Sequence, residues 1–305
     1  MPTYILGIDG GGTRTRAVLA DRRGRALGKG EAGTSNPNPH GYKAAQDELL
    51  KSVNMAFASA GIKPGRVDAA CLGIGGVDRE QERSRIRKWA LRHLSHKVYV
   101  TNDSETVLAA GTPENWGIVL ISGTGSMAWG KSPEGRIARA SGYGYLIGDE
   151  GSGFDLACRA LRAATQAYDG RGEPTILFDR ILQHWKIKEM DQLIPYVYHS
   201  GLHHDDFAAM ARVVVRAASD GDHVATVLLD QTAEFLASSI TAVARALNFI
   251  TPSVPLALTG GLVTGSPSLQ QALILKAEKK GFLFGPVKVV KEPVKGAVIL
   301  ACSML

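Results

Sequence analysis

The fold is decided by residues 4–28, YILGIDGGGTRTRAVLADRRGRALG, whose design returns at residues 116–139, WGIVLISGTGSMAWGKSPEGRIAR. Shifting the first stretch by 111 residues places Gly12-Thr13 on Gly123-Thr124 without a gap. Each copy holds an apolar run, a Gly/Thr turn, a second apolar run, a polar turn ending in Gly-Arg, and a third short run. This pattern predicts three strands joined by two turns, made twice.

The two Gly/Thr turns are candidate phosphate-binding turns. Three consecutive glycines in DGGGT (residues 9–13) allow positive φ and a close backbone approach, and successive N–H groups form an anion site. SGTGS (residues 122–126) offers the same groups with hydroxyls in place of the acid. Asp9, at a strand end, is suited to hold magnesium through water. The alternative is a pair of tight hairpins whose glycines serve only geometry.

Length and composition limit the class of protein. A chain of 305 residues suits two domains, and 45% hydrophobic with 21% charged residues is typical of soluble globular proteins without a membrane span. The net charge is +6, yet the basic stretch at residues 83–97 has helical apolar spacing, which favours a solvated helix face over nucleic-acid binding. No basic signal-peptide region opens the chain, and its three cysteines are dispersed, so we expect a cytoplasmic protein.

The pattern along the chain predicts a first domain at residues 1–112, joined by a C-terminal helix at 292–305, and a second domain at 113–291. In the first domain we expect strands at 4–8, 16–20, 25–30, 67–73 and 97–100 and an irregular loop at 34–39. We also expect helices at 41–60 and 80–94, and a short helix after residue 104 that ends near residue 110. The second is mostly helical after residue 142, with helices at 154–168, 174–185, 190–199, 205–219, 222–248 and 268–280 and a strand at 255–259. The last helix is expected to pack back across the first domain.

Three further features carry chemistry. Asp103 ends a strand just before a helix, where carboxylates point toward ligands in α/β sheets, although capping the helix is an alternative that Asn102 or Ser104 could also fulfil. The glycine-rich segment at residues 142–153 contains Asp149 and Glu150 and is suited to a polyhydroxylated substrate. Gly260-Gly261 would let an adenosine lie against backbone. Histidines near residue 201 lack metal-ligand spacing and favour a polar helix connection.

These motifs, in this order, resemble the sugar kinase/heat-shock ATPase/actin superfamily, and within it the N-acetylglucosamine kinase and BadF/BadG-type ATPase group. LISGTGS (residues 120–126) and GDEGS (residues 148–152) are the most specific segments. The resemblance implies an α/β, two-lobed actin-like ATPase (ribonuclease H-like) fold, in which each lobe is a mixed sheet flanked by helices, with a cleft between the lobes.

The resemblance also implies roles for individual residues. Asp103 is similar to the family's catalytic base, and Asp9 to a magnesium-binding residue. The cofactors are then ATP, with Mg²⁺, and the partners are a sugar and ATP, without nucleic acid or membrane; a homodimer is the expected assembly. The implied nucleotide-binding residues are Gly11, Gly12, Thr13, Gly123, Thr124, Gly125, Gly260 and Gly261, and the implied sugar-binding residues are Asn36, Asp103, Gly144 and Asp149.

The implied reaction is phosphoryl transfer from magnesium-ATP to the 6-hydroxyl of a hexosamine, with N-acetylglucosamine first among the substrates. Glucosamine and N-acetylmuramic acid stay open as alternatives. An activator ATPase of 2-hydroxyacyl-CoA dehydratases would need cysteines around an iron–sulfur cluster, and Cys71, Cys158 and Cys302 lie in dispersed contexts. A sugar-sensing regulator would usually carry a DNA-binding domain, and a chain that begins at its first strand and keeps Asp103 is expected to be a catalyst.

Overall fold

A computed structural model describes residues 3–199, 201–249 and 253–305. Its strands are β1 (Tyr4–Gly10), β2 (Thr15–Asp21), β3 (Ala26–Ala32), β4 (Ala69–Ile74), β5 (Val98–Thr101), β6 (Gly117–Ser122), β7 (Ser126–Lys131), β8 (Ile137–Ser141), β9 (Val254–Thr259) and β10 (Phe284–Val289). Its helices are α1 (Pro37–Ser59), α2 (Glu80–His93), α3 (Asp103–Gly111), α4 (Gly153–Tyr168), α5 (Leu177–Trp185), α6 (Met190–His199), α7 (His204–Ser219), α8 (His223–Ala246), α9 (Gly261–Thr264), α10 (Pro267–Lys279) and α11 (Val294–Cys302).

The chain forms two compact units. Unit 1 comprises Met1–Trp116 and Val290–Leu305, and unit 2 comprises Gly117–Val289. The boundaries proposed from the sequence, 1–112 with 292–305 and 113–291, fall a few residues from these. No helix in the described ranges has the length and apolar character needed to cross a membrane.

The repeat seen in the sequence reappears as two sheets of the same topology. Unit 1 has the strand order β3-β2-β1-β4-β5, and unit 2 has the matching order β8-β7-β6-β9-β10. In each, the first three strands are antiparallel and the last two add in parallel. Two mixed sheets flanked by helices confirm the predicted fold class.

Helices cover both faces of the unit 1 sheet because its strands alternate apolar residues between the faces. Leu6 and Ile8 of β1 pack into the core formed with α1 and α2. Ile5 points the other way and packs with Val298 and other residues of α11. The final helix therefore packs on the first unit, as the sequence predicts.

The two Gly/Thr turns differ in length, so the gap-free superposition is wrong within them. The last paired residues of the first hairpin are Gly10 and Thr15, which leaves four turn residues, Gly11–Arg14. The last pair of the second hairpin is Ser122 and Ser126, which leaves three. The copies share their strands rather than every turn position.

Three other elements differ from the prediction. Helix α1 begins at Pro37, inside the predicted loop, because the Asn36 side chain caps Asn38 N–H and Pro37 suits the first helical position. Gly41, with φ 79° and ψ 166°, then kinks this helix. The prediction also missed β10, a largely exposed edge strand that contains Pro286, and the four-residue helix α9.

Candidate active site

The first turn, between β1 and β2, leaves open space at Gly12. None of Gly10, Gly11 and Gly12 has a positive φ, so the conformational reason expected for these glycines is wrong. Among the described residues, no atom lies within 4 Å of the position that a Cβ at Gly12 would take. The hairpin itself does not require glycine at this position. The exposed turn residues Gly12 and Thr13 are therefore accessible to a ligand.

Asp103 occupies the first position of α3, and Asn102 caps that helix. The Asn102 side-chain oxygen accepts the Glu105 N–H at 3.0 Å, so the capping alternative for Asp103 does not hold. The backbone of Gly75, which donates to Gly10 C=O at 2.7 Å, lies beside the Asp103 carboxylate. A Cβ at Gly75 would lie 3.1 Å from Asp103 Oδ2 and 3.6 Å from Gly10 O. The carboxylate therefore lies close to the end of β1.

Burial, and to a smaller extent the negative charge of Asp78, raise the pKa of Asp103 to about 6. Hydrogen bonds from the backbone N–H groups of Asp103 and Ser104 act in the opposite direction. Asn102 Nδ2 donates to Asp78 Oδ1 at 3.3 Å. The result is a carboxylate that is ionised at neutral pH yet more basic than an ordinary aspartate.

Asp9, at the end of β1, has a pKa raised to about 7 by burial and by the negative charge of Asp103; Arg16 and Arg14 lower it. A divalent cation beside Asp9 would offset the burial and the repulsion that raise its pKa. The described residues contain no group of three or more acidic, histidine or cysteine side chains suited to a metal. Magnesium needs none, because it commonly binds through one or two carboxylates, water and substrate phosphates.

Asn36 lies against a glycine pair that the sequence analysis did not single out. Gly76, just after β4, has φ 79°, and a Cβ there would lie 2.5 Å from Asn36 Oδ1 and 2.7 Å from Asn38 Nδ2. Glycine is needed here both for the backbone conformation and for the close approach. The available signal was the pair Gly75-Gly76 directly after a fully buried strand, where α/β sheets bind ligands.

The second turn, between β6 and β7, is tied to the glycine-rich segment. Gly153 N–H donates to Gly123 C=O at 2.7 Å, and the Ser122 hydroxyl donates to Gly151 C=O at 2.8 Å. Within the turn, Gly123 N–H donates to Gly125 C=O at 2.9 Å. The second turn and the glycine-rich segment are therefore hydrogen-bonded to each other.

Asp149 lies between this turn and the rest of the glycine-rich segment. A Cβ at Gly125 would lie 2.8 Å from Asp149 Oδ2. Burial raises the pKa of Asp149, while hydrogen bonds from the backbone of Gly144 and Ser126 lower it. The carboxylate is thus oriented by two backbone N–H groups, and Gly144 is itself exposed.

Gly260 and Gly261 follow β9 and pass beside the second turn. Gly260 has φ 101°, and a Cβ there would overlap the carbonyl group of Ser122. Gly261 N lies 3.4 Å from the position of a Cβ at Gly123. No described atom lies within 4 Å of a Cβ at Gly261, so this backbone is open to a ligand as Gly12 is.

The predicted site residues thus form two groups, one in each unit. Unit 1 brings together Asp9, Gly11, Gly12, Thr13, Asn36 and Asp103, and unit 2 brings together Gly123, Thr124, Gly125, Gly144, Asp149, Gly260 and Gly261. Thr124 also contacts Asp205, a residue that the sequence analysis missed because it lies 81 positions away.

Residues 6–301 match the family model described as the BadF/BadG/BcrA/BcrD ATPase family. The chain belongs to the BadF/BadG/BcrA/BcrD ATPase family. This confirms the resemblance on which the sequence analysis relied.

Relatives of this BadF/BadG/BcrA/BcrD family chain match it along nearly its whole length. It is 35% identical to the N-acetylmuramic acid/N-acetylglucosamine kinase of Clostridium acetobutylicum, over 98% of both chains. It is 29% identical to the N-acetyl-D-glucosamine kinase of Dictyostelium discoideum, again over 98% of both. The crystal structure of a candidate N-acetylglucosamine kinase from Chromobacterium violaceum matches with a TM-score of 0.76 and 27% identity, over 99% of both chains.

Proposed function

We propose that this protein transfers a phosphoryl group from ATP to an amino sugar, converting N-acetylglucosamine to N-acetylglucosamine 6-phosphate. The observation that carries the proposal is the position of the Asp103 carboxylate. Asn102 caps α3 in place of Asp103, and the Asp103 carboxylate lies near the end of β1, close to the first Gly/Thr turn. Two full-length relatives named as sugar kinases support the same reaction.

In the proposed reaction, Asp103 accepts the proton of the sugar 6-hydroxyl. The hydroxyl oxygen forms a bond to the γ-phosphorus of ATP, the bond from that phosphorus to the bridging oxygen breaks, and ADP leaves. A pKa near 6 suits a base that must be ionised at neutral pH and still attract a proton.

The nucleotide is held by backbone in this proposal. N–H groups of the two Gly/Thr turns, with the hydroxyls of Thr13 and Thr124, bind phosphate oxygens, and Gly260-Gly261 contacts the adenosine. Asp9 would hold Mg²⁺ through water, and the cation would offset phosphate charge. The open space at Gly12 and Gly261 supports these assignments.

Three polar or backbone positions are assigned to the sugar in this proposal. Asn36 and Asp149 contact hydroxyl groups of the ring, and Gly144 offers backbone close to it. Asp149 supports this role because two backbone N–H groups orient its carboxylate before any ligand arrives. A carboxylate in that state accepts hydrogen bonds from adjacent sugar hydroxyls.

N-acetylmuramic acid is a second candidate substrate, since the relative from Clostridium acetobutylicum is named for both sugars. Glucosamine is a third. Incubating the purified protein with Mg-ATP and each of a panel of hexoses and hexosamines, with ADP release and product mass as readouts, tests the proposal. Turnover with N-acetylglucosamine supports it, and ATP use without any phosphorylated sugar would contradict it.

We also propose a cytoplasmic, homodimeric enzyme that does not bind nucleic acid. The three cysteines are free thiols in separate elements, which suits a reducing compartment. Their separation also argues against the iron–sulfur activator ATPase, because Cys71 is buried in β4 whereas Cys158 and Cys302 lie on α4 and α11. Sedimentation of the purified protein tests the dimer, and an iron-free, colourless preparation tests the absence of a cluster.

A further inference from the structure

The first turn of α7 contacts both parts of the site in unit 2. Asp205, at the second helical position, accepts a hydrogen bond from Thr124 Oγ1 at 2.6 Å. Its neighbour His204 lies against Tyr145 of the glycine-rich segment, with ring centroids 4.1 Å apart. Two consecutive residues therefore contact the turn assigned to phosphate and the segment assigned to the sugar.

The bond from Thr124 to Asp205 conflicts with binding of phosphate at the same hydroxyl. A threonine hydroxyl has one proton to donate. In this structure the Asp205 carboxylate accepts that proton, which leaves only lone pairs of Thr124 for other groups. Phosphate oxygens are themselves acceptors, and they carry the same sign of charge as Asp205. Donation from Thr124 to ATP therefore requires the hydroxyl to leave Asp205.

Further contacts connect the residues of the first turn of α7 to one another and to the glycine-rich segment. His203 N–H donates to Asp206 Oδ2 at 2.8 Å, which closes the first turn of the helix. Phe154 packs against both His204 and Tyr145, with centroids 5.1 and 5.2 Å away. A displacement of Asp205 would therefore alter the contacts of Tyr145.

Tyr145 lies in residues 143–147, an exposed stretch within the glycine-rich segment. Leu146 and Ile147, which follow it, are 81% and 78% exposed. Such a segment opens and closes at a low free-energy cost, because few buried apolar contacts hold it. The rings of His204 and Phe154 are therefore well placed to determine the position of Tyr145.

We propose that the first turn of α7 couples the two substrates. Asp205 is a positioning residue that holds the Thr124 hydroxyl until a phosphate oxygen of ATP replaces it, and His204 carries the resulting shift to Tyr145 beside the sugar. Nucleotide binding thereby favours the sugar-binding arrangement of the glycine-rich segment, and the sugar favours nucleotide binding to the same extent. The inference rests on the proposed function.

Equilibrium binding of a non-hydrolysable ATP analogue, with magnesium and without sugar, tests the role of Asp205. Removing the competing charge in Asp205→Asn tightens binding by about 3- to 10-fold, the effect expected of one nearby like charge in a partly solvated site. Adenosine, which has no phosphates, binds both proteins equally. Asp206→Asn removes the same charge from the same helical turn, keeps a side-chain oxygen that can accept the His203 N–H and does not contact Thr124, so it leaves the affinity unchanged.

The outcomes separate this inference from the proposed function. If the wild-type protein binds neither the ATP analogue nor adenosine, the proposed function fails together with the inference. If the wild-type protein binds the analogue, and Asp205→Asn binds it equally or more weakly, only the inference fails. An equal gain in Asp206→Asn would also overturn it, because general electrostatics would then account for the effect.

The coupling is tested by the dissociation constant of N-acetylglucosamine with and without the ATP analogue. We expect the analogue to tighten sugar binding at least about 5-fold in the wild-type protein. His204→Ala brings this ratio close to one, whereas His204→Phe, which keeps a ring against Tyr145, preserves it. A purely structural role for His204 would weaken sugar binding equally with and without the analogue, and that result, or a wild-type ratio of one, would overturn the proposal.

Discussion

Among single residues, the neighbours Asn102 and Asp103 have different roles. The Asn102 side chain accepts the buried Glu105 N–H at the start of α3, and the Asp103 carboxylate lies beside the end of β1. Hydrogen bonds from the N–H groups of Asp103 and Ser104 lower the pKa of the Asp103 carboxylate, but burial outweighs them and the pKa stays raised. In the order Asn-Asp, the first residue caps the helix and the second keeps a half-buried carboxylate beside β1.

Asp9 makes the stability of the metal-free protein depend on pH. Its pKa is about 7 in the folded state and 3.8 ordinarily, so between these values the folded protein holds a proton that the unfolded chain has lost. Stability must then fall as pH rises from about 4 to 7. Asp9→Asn removes this loss. At pH 8 in EDTA we therefore expect its free energy of unfolding, measured by urea denaturation, to exceed that of the wild-type protein by about 1–3 kcal/mol.

At pH 4 the wild-type protein and Asp9→Asn should be nearly equal in stability, which provides the internal control for the urea experiment. A wild-type protein that matches Asp9→Asn at both pH values would show that Asp9 carries no buried charge penalty.

At the scale of elements, the glycines of the first turn separate folding from binding. A Cβ at Gly12 would meet no described atom, so Gly12→Ala should leave the melting temperature unchanged or slightly higher. The same methyl group should obstruct phosphates that lie against the backbone and raise the dissociation constant of ATP by about 10-fold. Thermal unfolding and calorimetric titration of one protein preparation measure both. Unchanged ATP affinity would contradict the assignment of Gly12 to phosphate binding.

Where β3 packs on α1, replacing a glycine should lower stability, in contrast to Gly12→Ala. A Cβ at Gly30 would overlap the Ser52 carbonyl oxygen and lie 2.7 Å from Ala56 N, so the helix backbone would have to move away from the sheet. Gly30→Ala should lower stability by about 1–3 kcal/mol. Gly65→Ala, whose nearest described atom would be Lys63 O at 3.9 Å, is the matched control and should be neutral. Equal denaturation midpoints for the two variants would contradict this packing.

Elements with a strong local pattern were predictable from the sequence, and contacts between distant residues were not. The hairpins and the long helices were predicted from the spacing of apolar residues and the positions of glycines. The start of α1 was missed because a capping asparagine and a proline at the first helical position can equally well describe a loop. The contact of Thr124 with Asp205 leaves no local signal, since only the packing of α7 brings the two residues together.

Across the chain as a whole, each unit contains its own set of proposed site residues. Asp9, Asn36 and Asp103 belong to unit 1, whereas Thr124, Asp149 and Gly261 belong to unit 2. The shared strand order explains why each unit presents a Gly/Thr turn at the same place in its sheet. Each unit also adds residues that the other lacks, Asp103 in unit 1 and the glycine-rich segment in unit 2.

A bound nucleotide should stabilise the folded protein. A Mg²⁺-bound ATP analogue at 100 times its dissociation constant should add about 2.7 kcal/mol to the free energy of unfolding, because it binds the folded state alone. Thermal unfolding with increasing analogue concentration measures the gain. Gly12→Ala, at the same ligand concentration, should gain less. A wild-type melting temperature that does not respond to the analogue would argue against a nucleotide site.

The most direct test of the central claim compares the wild-type protein with Asp103→Asn in sugar phosphorylation under saturating Mg-ATP and N-acetylglucosamine. Loss of a general base should reduce kcat by roughly 100- to 10,000-fold, while the dissociation constant for ATP stays near the wild-type value. Near-normal turnover in Asp103→Asn, with ATP bound as in the wild-type protein, would contradict the assignment of Asp103 as the base of a sugar kinase.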